Sequence, residues 1–173
     1  TWTPMSSTQA ALGVYKRCAD LKCAVGVMCF QGLELHYHDI LQLLNASPET
    51  IMVLDHFAFT SLSKPESFDL LLSLAKYPQV YVKISALFRQ GDQYPYESLK
   101  KERLEPLLKA FGSSRLMFGT DFPFVLQQQE SYKGTVDTVK SWLSNKDQIA
   151  VMGGTAETVF GSWATTSLSD NEL

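Results

Sequence analysis

Short apolar runs rich in β-branched residues alternate along this chain with longer stretches in which apolar residues recur at three- and four-residue spacing. The runs Ala24–Phe30 (AVGVMCF), Ile51–Phe57 (IMVLDHF), Val80–Ser85 (VYVKIS) and Leu116–Asp121 (LMFGTD) read as buried strands. Helical spacing predicts a helix over Ser7–Lys22, carried by Ala10, Ala11, Val14, Tyr15 and Cys18. Further helices are expected over His36–Asn45, broken by Ser47-Pro48, and over Ser67–Lys76, stopped by Tyr77-Pro78. After a long loop from Ala86 to Tyr96, Tyr96–Phe111 reads as a helix closed by Gly112. Tyr132–Leu143 follows, and then a short last helix, Ala156–Phe160, after Gly153-Gly154.

This is four strands, each followed by a helix, in one domain spanning residues 1–166, with a polar tail at 167–173. The strands are apolar on both faces, as in a parallel sheet covered by helices. Two architectures satisfy that pattern: an open doubly wound sheet and half of a barrel. The turn after Phe30 is Gln31-Gly32-Leu33, so the glycine-rich phosphate turn of nucleotide-binding sheets is absent.

Polar residues at the strand ends bear on the choice. His56, Ser85 and Asp121 close the second, third and fourth strands, with Lys83 two residues before Ser85. Parallel α/β enzymes build their sites at the C-terminal strand ends, where the βα loops converge. Period-two alternation groups Met52, Leu54 and His56 on one face, with Tyr81, Lys83 and Ser85, and Met117, Gly119 and Asp121; in a barrel these would face inward. Asp55 then points the other way, toward a neighbouring loop or helix end. A carboxylate and an imidazole at one barrel mouth suit water activation, the first taking a proton and the second orienting the water or polarising a carbonyl. The same pair also suits part of a metal site. Plainer readings stand beside these: an aspartate before Pro123 fits a turn or helix cap, and His56 fits a core histidine.

Four runs in order, VLDHF (53–57), PQVYVKISALFR (78–89), RLMFGTDFPF (115–124) and GGTAETVFG (153–161), resemble the C-terminal half of the amidohydrolase-related family. That family of barrel hydrolases and decarboxylases includes lactonases such as 2-pyrone-4,6-dicarboxylate lactonase. The resemblance runs from about Trp2 to Trp163. It implies an α/β fold, the C-terminal half (about four βα units) of a (β/α)8 TIM barrel with parallel strands. It implies a hydrolase acting on a lactone, ester or amide bond of a small carboxylated substrate. Asp121 would serve as general base and His56 as its partner. Both would ligate any divalent metal, with zinc the first expectation. Arg89 matches a position that in the lactonases binds a substrate carboxylate, a task suited to the guanidinium fork. Ser85, Lys83 and Tyr94 complete the expected substrate-binding set.

A full barrel needs roughly 250 residues, and the family's first-strand His-x-His pair has no match here. The only such pair, His36-Tyr37-His38, opens a predicted helix and is not assigned that role. A fragment, a shortened product and a half that assembles with another chain are all compatible with the sequence. The last of these gives a competing expectation: a catalytically silent half-barrel serving assembly or ligand binding. Unpaired strand edges would favour a homo-oligomer or association with the missing half.

Composition narrows the partners. With 15 Lys+Arg against 18 Asp+Glu, a formal charge of −3 and no basic stripe, the chain lacks the footprint of a nucleic-acid binder. No apolar run reaches membrane-spanning length. Three crowded cysteines (Cys18, Cys23, Cys29) do not form a disulfide framework, which points to a reducing compartment: the cytoplasm, or an organelle stroma or matrix after removal of a transit peptide.

Overall fold

The computed structural model describes residues 9–161; the start of the first predicted helix (Ser7 and Thr8) and the polar tail lie outside them. Four strands form one parallel sheet in the order β1 (Val25–Val27), β2 (Met52–Leu54), β3 (Val80–Ile84), β4 (Leu116–Phe118). Gly26 stands opposite Val53, Val53 opposite Tyr81, and Lys83 opposite Met117. Each strand lies beside its neighbour in sequence. A doubly wound sheet reverses its order at a switch point, whereas a barrel winds one way. The observed order is that of a barrel segment.

The helices are α1 (Gln9–Asp20), α2 (Tyr37–Ala46), α3 (Pro65–Ser73), α4 (Glu97–Leu99), α5 (Glu105–Phe111), α6 (Ser131–Trp142), α7 (Asn145–Ile149) and α8 (Thr155–Phe160). Among the described residues no helix is long and apolar enough to cross a membrane. One face of the sheet (Met52, Leu54, Val80, Val82, Ile84 and Leu116) is buried against helices in a single core with Leu43, Leu44, Leu71 and Leu107. The opposite face carries Val53 and Met117, which pack on Val159 of α8, with Tyr81 and Ala156 around them. The alternation expected for β2 is therefore inverted: Met52 and Leu54 belong to the helix-covered core, and Val53 lies on the face that bears Tyr81, Lys83 and Met117.

The inversion has a local cause. The strand stops at Leu54, and after Asp55 the four residues His56–Phe59 all have positive φ, between 52° and 56°. None is glycine, and each left-handed L-residue costs about 1–2 kcal/mol. Such a turn persists only where its surroundings over-determine it. Phe57 and Ala58 are completely buried, the Thr60 hydroxyl donates to Phe57 O at 2.7 Å, and Ala58 N donates to Asp55 O at 2.9 Å. The turn breaks the period-two pattern and swings His56 onto the strand-end surface.

Two helices depart from expectation. Tyr96–Phe111 is interrupted by a π-turn at Lys100–Leu104. Pro106 has no N–H to give to the carbonyl four residues back, that of Glu102; the guanidinium of Arg103 takes that carbonyl instead, at 2.9 Å. Near the C-terminus, Gly153-Gly154 does not break the chain as expected. The helical path starts at Asn145, passes through a π-turn at Ala150–Gly154 and continues into α8. A Cβ on Gly154 would lie 2.9 Å from Ile149 O, so the wide turn needs glycine there.

Candidate active site at the C-terminal strand ends

A cavity of about 350 Å³ opens at the C-terminal ends of β2, β3 and β4, lined by Met28, Asp55, His56, Lys83, Ser85, Phe118, Gly119, Asp121 and Phe122. Met28 also borders a smaller adjoining cavity of about 90 Å³.

His56 is buried, 7% exposed. Its Nδ1 lies 2.7 Å from Ser85 Oγ, and its Nε2 faces Asp121 Oδ1 at 3.6 Å. The second distance is an ion-pair contact, too long for a hydrogen bond. A carboxylate only accepts, so a neutral ring carries its proton on Nε2 and receives the Ser85 hydroxyl on Nδ1. Burial pulls the imidazole pKa below its ordinary 6.5, against the opposing pull of Asp121 and Asp55. The ring is thus neutral at neutral pH. The edge of Phe59 meets it at 5.2 Å between centroids.

Asp121 itself has φ 63° and precedes the cis Phe122–Pro123 bond. Arg89 Nε donates to its Oδ2 at 3.0 Å, which leaves Oδ1 toward His56 and the cavity. The Arg89 guanidinium lies between the rings of Phe88 and Phe124, 5.0 and 5.2 Å from their centroids, and its side chain is 39% exposed.

Lys83 extends from β3 into direct contact with Asp55 Oδ1. The contact is a charge pair without hydrogen-bond alignment, because that oxygen receives no aligned donor. Asp55, read from alternation as pointing away, instead lines the cavity beside His56. Gly119 makes room for this arrangement: a Cβ there would lie 3.3 Å from Lys83 Cδ and 3.4 Å from Ser85 Cβ.

Of the residues expected from sequence, the structure brings together His56, Asp121, Ser85, Lys83 and Arg89. Tyr94 does not line the cavity; its ring stands edge-on to that of Tyr96, 6.0 Å away. Gly119 stands on the inward face expected from alternation, whereas Asp55, Met28 and Phe122 were not recognised from sequence. An Asp directly before a strand-end His was the available signal for Asp55.

A catalytic zinc takes three protein ligands. Among the described residues no three His, Cys, Asp or Glu side chains gather in that way. His56 and Asp121 offer two donors, and Arg89 already occupies one carboxylate oxygen. These residues alone do not make a zinc site.

A one-way-wound parallel sheet with a polar cavity at its C-terminal strand ends defines the class: part of a TIM-barrel protein. The chain belongs to the amidohydrolase family, whose model matches residues 2–162. It is 33% identical over 122 residues to an L-fucono-1,5-lactonase of Burkholderia multivorans, an alignment covering 61% of this chain and 41% of that protein. Its fold matches a candidate 2-pyrone-4,6-dicarboxylic acid hydrolase of Pseudomonas putida with a TM-score of 0.75 and 22% identity, covering 93% of this chain and 59% of that one. It also matches a zinc-bound amidohydrolase of Burkholderia multivorans with a TM-score of 0.70 and 24% identity, covering 91% and 62%. The chain thus spans 41% of the curated relative and about 60% of these two solved structures.

Proposed function

We propose that this chain carries the water-activating part of a hydrolase site that opens a lactone, or a related ester or amide bond, of a small carboxylated substrate. The observation that carries the reading is the meeting of Asp121 and His56 in one open strand-end cavity, with Arg89 bonded to the Asp121 carboxylate. Asp121 Oδ1 accepts a proton from a water in the cavity. The water oxygen attacks the substrate carbonyl carbon, and the Nε2–H of His56 donates to the oxyanion that develops. When the tetrahedral intermediate collapses, the C–O bond to the leaving oxygen breaks and Asp121 returns its proton to that oxygen. Ser85 fixes the imidazole through Nδ1. Arg89 holds Asp121 by one N–H, and its exposed fork is placed to take a substrate carboxylate. Lys83 lines the same cavity with its charge paired to Asp55.

The test is hydrolysis of a panel of carboxylated and sugar lactones by the native protein that contains this chain, followed by proton release, with Asp121→Asn as the comparison. Turnover that vanishes in Asp121→Asn is the expected result; an active Asp121→Asn protein removes the proposed base. A second reading, an assembly role without turnover, is favoured by the free edges of β1 and β4 among the described residues. A closed oligomer with no hydrolysis of any lactone in the panel would support it over the first.

A further inference from the structure

We propose that Gln90 and Arg103 are positioning residues of this site, fastening the left-handed turn that aims His56 at Asp121. The inference rests on the roles given to His56 and Asp121 above. Gln90 is fully buried, and its Nε2 donates to His56 O at 3.1 Å. Only the amide nitrogen can bond a carbonyl, so the partner fixes the orientation of the side chain. The main chain of Gln90 grips the exit of the same turn: its carbonyl accepts Leu62 N at 2.8 Å and the Ser61 hydroxyl at 3.3 Å. Gln90 adjoins Arg89, whose guanidinium holds Asp121. One dipeptide therefore touches both members of the catalytic pair, one by its carboxylate and the other by its backbone.

Arg103 closes the turn from the other side. It is 3% exposed and lies 4.4 Å from the centroid of Phe68. Its Nε donates to Thr60 O at 3.1 Å, its Nη2 to Ser61 O at 2.9 Å, and its Nη1 to Glu102 O. All three bonds end on main-chain carbonyls. A buried cation spent on backbone, sited in a π-turn and bonded to the two residues that follow the left-handed run, is a device for holding a conformation. The conformation it holds is the run of four left-handed residues that begins with His56.

Arg115 supplies the control. It makes the same kind of clamp at the other end of β4, with Nε to Phe111 O at 3.1 Å, Nη1 to Tyr77 O at 2.9 Å and its guanidinium against Phe111. Its loss should cost stability without touching His56.

The experiment compares Gln90→Met, Arg103→Met and Arg115→Met in the full chain, each with and without Asp121→Asn. It follows the imidazole nitrogen and ring-proton NMR signals of His56 at one neutral pH, assigned with His56→Gln. In the wild type, Asp121→Asn should shift these signals. In Gln90→Met and Arg103→Met the signals should move and lose most of that response. Arg115→Met should melt earlier yet keep both. A response retained in full by Gln90→Met and Arg103→Met, or lost equally in Arg115→Met, overturns the proposal. Where a methionine variant does not fold, Arg103→Lys keeps the charge and stem but lacks the fork; a weakened response supports the proposal and a wild-type response overturns it. No turnover is read, so an Asp121→Asn protein that still hydrolyses lactone would retire the catalytic reading while leaving this coupling to stand or fall on its own signals.

Discussion

His56 and Asp121 sit at the ends of strands that are not neighbours in the sheet, and the imidazole Nε2 still reaches to 3.6 Å from the carboxylate Oδ1. The gap between β2 and β4 is bridged by β3, and Ser85, immediately after it, holds the far side of the ring. This geometry makes Asp121 the group whose loss should matter most. A general base contributes about 10²–10⁴ in rate, so Asp121→Asn should lower kcat by that order in the native protein. Arg89 keeps an acceptor in the amide oxygen, so a thermal melt should show little change.

The imidazole of His56 also sets a pH dependence. Its native pKa lies below 6.5 because burial penalises the charged ring, so the unfolded chain binds the proton more readily. Stability contributed by the buried neutral ring is full above about pH 6.5 and declines as the pH falls from there toward the lower native value. Melting temperatures of wild type and His56→Gln measured across this range should therefore converge on acidification. Divergence on acidification would reverse the sign.

Lys83 and Asp55 form a charge pair with side chains 31% and 14% exposed. Removing the cation leaves a largely buried carboxylate alone, and Lys83→Met should cost about 1–3 kcal/mol in denaturant unfolding. Adding Asp55→Leu should restore part of that loss, because the pair is then replaced as a unit. Strict additivity of the two changes would show that the contact carries no coupling.

Gly119 tests the mouth of the cavity without touching a polar group. The methyl of Gly119→Ala would lie 3.3 Å from Lys83 Cδ and touch Ser85 Cβ at 3.4 Å, so the Lys83 stem must give by a few tenths of an ångström, a crowding at the low end of the about 1–3 kcal/mol usual for overpacking. The expected result is a raised KM for a carboxylated lactone, with a smaller change in kcat. A KM equal to wild type would mean that Lys83 does not face the substrate.

The layered α/β order and all four strands were legible because buried parallel strands are written as contiguous apolar runs, and those runs stand out from helical spacing. His56, Ser85 and Asp121 were legible for a related reason: polar residues that end such runs are few. The face assignment of β2 failed because alternation assumes that the strand continues, and the left-handed turn after Asp55 leaves no periodic trace. Asp55 was misplaced by the same assumption. The helix over Asn145–Thr155 was missed because a Gly-Gly pair reads as a break unless a π-turn requires it. Gln90 and Arg103 were invisible since their bonds go to main-chain carbonyls, which every residue has. Tyr94 was placed near the site by its loop, but the loop turns its ring onto Tyr96.

The π-turn at Lys100–Leu104 sets a rule for how this segment can change over evolution or engineering. Arg103 reaches Thr60 and Ser61 from one rotational phase of its helix only, and each residue added or removed upstream turns that phase by about 100°. The stretch from Glu97 to Glu105 should therefore accept many different side chains on its outer surface, at Lys100 and Lys101 for example, while rejecting any change in its length. Homologous segments aligned to this one should vary in letters and be constant in count.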